Sequence, residues 1–307
     1  MRYYFAPMEG LTDQVFRQLH HQYFPGVDAY FTPFFSPTSH RALTPKERRE
    51  LPEADSIDAR VVPQILTKVA EDFVWMSRQC LDLGYDEINL NLGCPSGTVT
   101  AKGKGSGMLR EPEVLDAFLE EIFAHSALPV SIKTRVGFSD PEELPRLMEI
   151  FNQYPIRELT VHPRLRSEFY KGPVHRELFE YCLQNSKNPL CYNGDITSAV
   201  QAEGISREYP GVEAVMVGRG LISDPGMFTP GGTDPDTLER FMNALMDAYV
   251  AAFGSVRNTM FRMKEHWGML LPRFPNCEKL GKRLRKTTDI SEFKAITAQL
   301  IDSLRKA

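Results

Sequence analysis

The sequence predicts an α/β protein: a (β/α)8 barrel followed by a small C-terminal α-helical domain. Three observations carry this. Eight short apolar runs recur between residues 3 and 217. Segments of helical period separate most of them. After Gly220 the alternation stops, and a Pro/Gly-rich stretch leads into purely helical spacing. A doubly wound open sheet fits less well, because no G-x-G-x-x-G follows the first run and eight strands match a closed barrel.

The runs are Tyr3–Met8, Ala29–Phe34, Val61–Leu66, Glu87–Leu92, Pro129–Thr134, Glu158–His162, Leu190–Tyr192 and Ala214–Val217. Between the fourth and fifth, Val114, Leu115, Phe118, Leu119, Ile122 and Phe123 keep to one helical face, with Pro112 in the first turn. Residues 35–59 are rich in Pro, Ser and charge and read as a long loop rather than a helix. Pro225, Gly226, Pro230, Gly231, Gly232 and Pro235 mark a linker, which divides the chain into a barrel, 1–234, and a helical domain, 235–307. In that tail Leu238, Phe241, Met242, Leu245, Met246, Tyr249, Val250 and Phe253 fall at helical spacing, as do Phe293, Ile296, Leu300 and Leu304. Lys279, Lys282, Arg283, Arg285 and Lys286 read as a basic turn between helices.

The 307 residues suit one large barrel with an appendage. No apolar run approaches the ~18–20 residues of a membrane span. The opening Met1–Pro7 is too short for a signal peptide, so the expectation is a cytoplasmic protein, monomeric by default and without a membrane partner. The five cysteines show no C-x-x-C spacing, which argues against a disulfide framework and a structural zinc site. Charge is uneven. Residues 257–307 carry 12 Lys/Arg against 5 Asp/Glu, while the rest carries 24 against 35. A basic tail on an acidic body points to a polyanionic partner or to a solvated helical face.

Chemistry in such a barrel gathers at the C-terminal ends of the strands. Asn193-Gly194-Asp195 and Gly218-Arg219-Gly220 end the seventh and eighth runs, where barrels often hold phosphate on backbone N–H groups; either could also be a plain turn. Ser131, Lys133 and Arg135 share the lumen face by period two, and a buried lysine there needs an anion, an electron-rich ligand or a lowered pKa. A Schiff-base lysine is one reading of Lys133. Asn89 and Asn91 also face the lumen and must be hydrogen-bonded. His162 alone reads as a core histidine. The Lys102-Gly103-Lys104-Gly105 segment is not a nucleotide-hydrolysing loop, since Thr98 stands where Walker A needs Gly and Gly105 where it needs Ser or Thr.

Taken in order, Ala6-Pro7-Met8, Gln64, Asn89-Leu90-Asn91-Leu92-Gly93-Cys94-Pro95, Lys133-Thr134-Arg135, His162-Pro163-Arg164, Asn193-Gly194-Asp195 and Gly218-Arg219-Gly220 resemble the tRNA-dihydrouridine synthase family. The likeness runs through the whole barrel, and the basic helical tail is similar to that family's RNA-binding domain. The resemblance implies an FMN-dependent reduction of tRNA uridine to 5,6-dihydrouridine, with NADPH reducing the flavin. It implies that Pro7, Met8 and Glu9 line the flavin and that Gln64 and Lys133 contact its ring. His162, Asn193, Gly194, Asp195, Gly218 and Arg219 would hold its ribityl chain and phosphate. Cys94 would protonate C5 after hydride transfer from N5 to C6, and Asn91 and Arg135 would orient the base. Lys102, Lys104, Lys282, Arg283 and Lys286 would meet the RNA backbone, with Ser96–Gly107 as a mobile lid carrying the acid. The chain departs from the family at Pro163, where Gly or Ala is usual, and at Leu165, where Thr is usual; this stiffens the corner at Arg164. The rivals are a flavin barrel acting on free pyrimidines, of the dihydroorotate or dihydropyrimidine dehydrogenase kind, a Schiff-base aldolase built on Lys133, and a tRNA-binding module without catalysis.

Overall fold

The computed structural model describes residues 1–38, 40–56, 58–274 and 276–306. In chain order its elements are β1 (Arg2–Phe5), α1 (Gln14–Tyr23), β2 (Ala29–Phe31), α2 (Pro45–Glu50), β3 (Val61–Val62), β4 (Gln64–Ile65), α3 (Ala70–Asp82), β5 (Ile88–Leu92), α4 (Gly97–Thr100), α5 (Pro112–His125), β6 (Val130–Gly137), α6 (Leu144–Phe151), β7 (Leu159–Leu165), α7 (Arg176–Asn185), β8 (Leu190–Tyr192), α8 (Ala199–Glu208), β9 (Ala214–Val217), α9 (Arg219–Ser223), α10 (Pro235–Phe253), α11 (Val256–Leu270), α12 (Glu278–Lys286) and α13 (Ile290–Arg305).

The sheet is parallel, in the order β3-β2-β1-β9-β8-β7-β6-β5-β4. Its two end members, β3 and β4, are halves of one stave cut at Pro63, which has no N–H to give the ladder. Pro63 still accepts from the Asn89 amide at 2.8 Å, and Phe35 bridges Ile65, so the ring closes through this broken stave. Nine strands are therefore eight staves, the count the sequence predicts.

Alternation along the strands separates two apolar layers. Tyr4, Ala6, Ala29, Phe31, Val62, Cys191, Ala214 and Met216 fill the lumen. Their neighbours, among them Phe5, Tyr30, Val61 and Val215, point outward into the larger core beneath the helices. Below the lumen, Glu158 accepts from Arg2 at 3.0 Å and from the Tyr4 hydroxyl at 3.3 Å. Glu87 takes Arg60 at 2.6 Å and Arg157 at 3.0 Å. Burial pushes the Glu158 carboxyl up to about 7 against the pull of Arg2. This plug closes the bottom of the barrel and leaves the C-terminal face for ligands.

The tail helices are built into the same outer core. Phe241 of α10 meets Phe16 and Phe24 of the barrel at centroid distances of 5.8 and 5.3 Å. His266 of α11 stacks on Phe16 at 4.9 Å. The Tyr249 hydroxyl donates to Asp13, which also caps α1 by accepting from the Phe16 amide.

Two sequence expectations change, and a third segment gains a shape. Residues 35–59 contain α2, a six-residue helix started by Pro45 and a Thr44/Glu47 capping box. The basic segment 279–286 is α12 rather than a turn: Leu284 and Gly281 face inward, and a Cβ on Gly281 would come within 3.1 Å of Leu271. Ser96–Gly107 is folded over the strand end, with α4 followed by a 3-10 turn over Gly105–Arg110 and with Ser106 fully buried.

Phe241→Ala would leave a cavity in the seam between tail and barrel and cost about 3–5 kcal/mol. Chemical denaturation followed by near- and far-ultraviolet circular dichroism should shift as a single transition. Separate transitions for barrel and tail would show that the seam does not couple them.

Candidate active site

The strand ends surround a cavity of about 1030 Å³. Pro7, Met8, Glu9, Gln64, Asn91, Cys94, Lys133, Arg135, His162, Asn193, Gly194, Asp195, Gly218 and Arg219 all line it, so the topology brings these sequence-predicted residues together.

A line of side-chain amides crosses one wall. The Cys94 and Gly93 amides donate to Asn91 Oδ1 at 2.9 and 3.1 Å. Asn91 Nδ2 donates to Gln64 Oε1 at 2.7 Å, Gln64 Nε2 to Asn89 Oδ1 at 2.8 Å, and Asn89 Nδ2 to Ser131 Oγ at 2.9 Å. Asn91 thus fixes the cysteine corner and keeps a second amide hydrogen for the cavity. Behind the corner, Ser106 Oγ donates to the Cys94 carbonyl at 2.7 Å. Gly105 has φ +57, and a Cβ there would come within 3.0 Å of that carbonyl, so only glycine fits.

Burial raises the Cys94 pKa above its ordinary value, although the Ser96 amide, Arg135 and Lys133 pull it down. Cys94 is therefore a proton-bearing thiol at neutral pH. Lys133 stands on the neighbouring strand, paired across the ladder with Asn91. Burial first, then Arg135, brings its ammonium down to about 8. Arg135 gives Nε to the Gly93 carbonyl at 3.0 Å and Nη1 to the Leu165 carbonyl at 2.9 Å, which also braces the cysteine corner.

On the opposite wall Arg164 forms a two-pronged pair with Asp195, and Arg219 donates to the same carboxylate at 2.9 Å. Burial alone would raise the Asp195 pKa; the two arginines overcome it and hold the carboxyl below its usual range. Arg164 Nη1 also lies 3.2 Å from His162 Nε2. Burial and the surrounding Arg135, Lys133, Arg164 and Arg219 keep His162 far below its ordinary pKa. The ring is therefore neutral, accepting at Nε2 and carrying its proton on Nδ1. Asn193 spends its amide on the Met216 carbonyl at 2.7 Å. Gly218 lets Met8 approach: a Cβ there would be 3.1 Å from its sulfur.

The sequence reading missed several wall residues. Tyr170, 55% exposed, lies over the cavity with Arg135 and Arg219 each 5.2 Å from its ring centre and His162 stacked at 6.0 Å. An exposed aromatic just past a strand end was the available signal. Gly268, Met269 and Pro272 bring the tail to the rim. Lys282, Arg283 and Lys286 do not reach the cavity; they border a separate depression of about 430 Å³ between α12 and α13, where Arg283 is paired with Glu292 at 3.0 Å. Among the described residues no cluster of His, Cys, Asp and Glu could hold a metal ion. No described helix is long and apolar enough to cross a membrane.

Fold and cavity together define a (β/α)8 barrel with a cation-rich cavity at the C-terminal mouth of its strands. Among solved structures, an old yellow enzyme homologue from Zymomonas mobilis shares the fold, with a TM-score of 0.55 at 11% identity over 73% of this chain and 86% of that one. The family model described as dihydrouridine synthase matches residues 4–300, and the chain belongs to that family. Among its relatives, a probable tRNA-dihydrouridine synthase of Staphylococcus epidermidis is 34% identical over 73% of this chain and 69% of its own length. Probable tRNA-dihydrouridine synthase 1 of Synechocystis is 27% identical over 98% and 86%. For tRNA-dihydrouridine synthase B of Pasteurella multocida the figures are 29%, 74% and 68%. Membership sets aside the aldolase reading of Lys133.

Because burial lowers Lys133, its acylation by an amine-directed reagent should have a midpoint near pH 8, against ~10.4 for an ordinary lysine. Mass spectrometry of the labelled peptide across a pH series measures this. A midpoint near 10 would mean the ammonium is solvated or paired.

Proposed function

We propose that this protein reduces the C5=C6 bond of a uridine in tRNA, with FMN held in the cavity and NADPH as the source of electrons. The observation that carries the reading is the proton-bearing Cys94 thiol facing the same cavity as the Lys133 ammonium, on adjacent strands, in a chain of this family.

The residues fit FMN. Lys133, Arg135, Arg164 and Arg219 line the cavity against only two carboxylates, Glu9 and Asp195, so the wall favours an anionic guest. The N–H groups of Asp195, Gly218 and Arg219 meet no acceptor among the described residues, and their turns suit a phosphate. The volume accommodates a flavin and a base. When bound, FMN supplies the hydride for C6.

The chain supplies the rest. The turns at Gly194-Asp195 and Gly218-Arg219 hold the phosphate, with the Asp195 carboxylate fixing the arginine. Neutral His162 and Asn193 border the ribityl chain, and Pro7, Met8 and Glu9 form the wall beside it. Gln64 and Lys133 face the ring, where the ammonium stabilises negative charge. Asn91 and Arg135 orient the uracil through the donors they do not spend on the cysteine corner. Cys94 delivers its proton to C5 as negative charge builds there. The raised pKa serves this role, since a thiolate could not donate. The uridine must leave its stack to enter a cavity of this depth. Lys102, Lys104, Lys282, Arg283 and Lys286 contact the RNA backbone with little sequence preference. The same reading places the enzyme in the cytoplasm, with barrel 1–234 for chemistry and helices 235–307 for RNA.

Cys94→Ala should keep bound FMN and NADPH oxidation but lose dihydrouridine formation at least ~100-fold, measured by mass spectrometry of digested tRNA. Near-normal product would remove Cys94 as the acid, and a protein that takes up no FMN would remove the whole reading. Lys282→Glu with Lys286→Glu should weaken tRNA binding and flatten its salt dependence; an unchanged slope would place the RNA elsewhere.

A further inference from the structure

We propose that Lys68, Lys102 and Lys104 form a clamp for one RNA backbone phosphate at the mouth of the cavity, beside the cysteine corner. The inference rests on the tRNA reading above and adds a site that sequence spacing does not reveal, because its members come from two loops. Lys68 lies between β4 and α3, whereas Lys102 and Lys104 lie between α4 and the 3-10 turn at Gly105. Gly103, at φ +66, reverses the chain between the two lysines. A Cβ on Gly103 would stand 3.8 Å from Lys68 Nζ and 3.7 Å from its Cδ, so the Lys68 side chain lies across that turn.

Three ammonium groups in one place repel each other. Lys104 is held below its ordinary pKa by burial, by Lys102 and by Lys68, with Asp72 alone opposing. Asp72 is itself paired with Arg41 at 3.3 Å. Arg305 and Arg176 are neutralised within the chain by Asp236, Glu239, Asp302 and Glu208, whereas Lys68, Lys102 and Lys104 form no ion pair among the described residues. Three ammonium groups facing one carboxylate that Arg41 already shares leave an excess of positive charge, which fits an external polyanion such as a phosphodiester backbone.

The position names which phosphate. Lys104 is followed by Gly105 and Ser106, and Ser106 holds the Cys94 carbonyl through both Oγ and N. A phosphate on the clamp therefore belongs to a nucleotide flanking the uridine presented to Cys94. Ser106 is fully buried, so the clamp is anchored to the folded segment behind Cys94.

Unmodified tRNA transcript is titrated into the FMN-loaded protein at several salt concentrations, for wild type, Lys68→Ala and Lys68→Arg, with thermal melting alongside. Lys68→Ala should weaken binding several-fold at ~0.15 M salt and reduce the log–log salt slope by roughly 0.7–0.9, while Lys68→Arg restores the slope. KM for tRNA should rise with the weaker binding. Lys68→Ala with unchanged slope and KM, in a wild-type background that makes dihydrouridine, overturns the clamp and leaves the proposed function standing. A wild type that shows the lysine-dependent slope but forms no dihydrouridine overturns that function and leaves the clamp. A loss that arginine does not rescue, together with lowered melting, assigns Lys68 to the fold and also overturns the clamp.

Discussion

The geometry of the cavity depends on one line of hydrogen bonds through the barrel wall. It runs from the Cys94 amide through Asn91, Gln64 and Asn89 to Ser131, and every donor along it points the same way. Bonds aligned in this manner polarise one another. Each amide is buried, so each must be satisfied, and an unmatched one would cost about 1–3 kcal/mol. The line ties three staves to the backbone of the residue proposed as the acid. Arg135 from the next strand and Ser106 from the cap hold the same corner from the other sides. Cys94 is thus placed by its neighbours' side chains more than by its own.

Charge is the second constraint. Four cations line the cavity against two carboxylates, and Arg164 and Arg219 both engage one of these, Asp195. Burial, with the field of these cations added to it, keeps His162 neutral and brings Lys133 within reach of neutral pH. Burial raises the Cys94 pKa, while the same cations limit how far it rises. A thiol that must give up a proton near neutrality needs both influences.

The barrel was legible because strand alternation and helical period are local properties of sequence. The lumen positions of Lys133 and Asn91 followed from period two alone. What escaped was set by contacts distant in sequence or by unusual backbone. Helix α12 is mostly charged, with little beyond Leu280 and Leu284 to show a buried side, so it read as a turn. The glycines of 103–107 gave no sign of their conformation, and at φ +66 and +57 Gly103 and Gly105 take backbone shapes that favour glycine. Tyr170 depends on Phe169, whose φ of +54 no residue pattern announces. The engagement of Asp195 by Arg164 spans 31 residues and appears only once β7 and β8 are neighbours. The clamp at Lys68 is hidden for the same reason.

The Pro/Gly-rich stretch before α10 marks where the strands end, and the aromatic seam of Phe16, Phe24, Phe241 and His266 packs the helices beyond it against the first barrel helix. The tail is keyed to the first barrel helix, and it sends Gly268 and Met269 back to the cavity rim. Any RNA gripped by α12 and α13 is therefore presented to the cavity at an angle set by how α10 beds against α1. In such an architecture a change in the α1–α10 packing would tilt the tail relative to the cavity. A tail grafted from a relative would have to bring its own α1 with it.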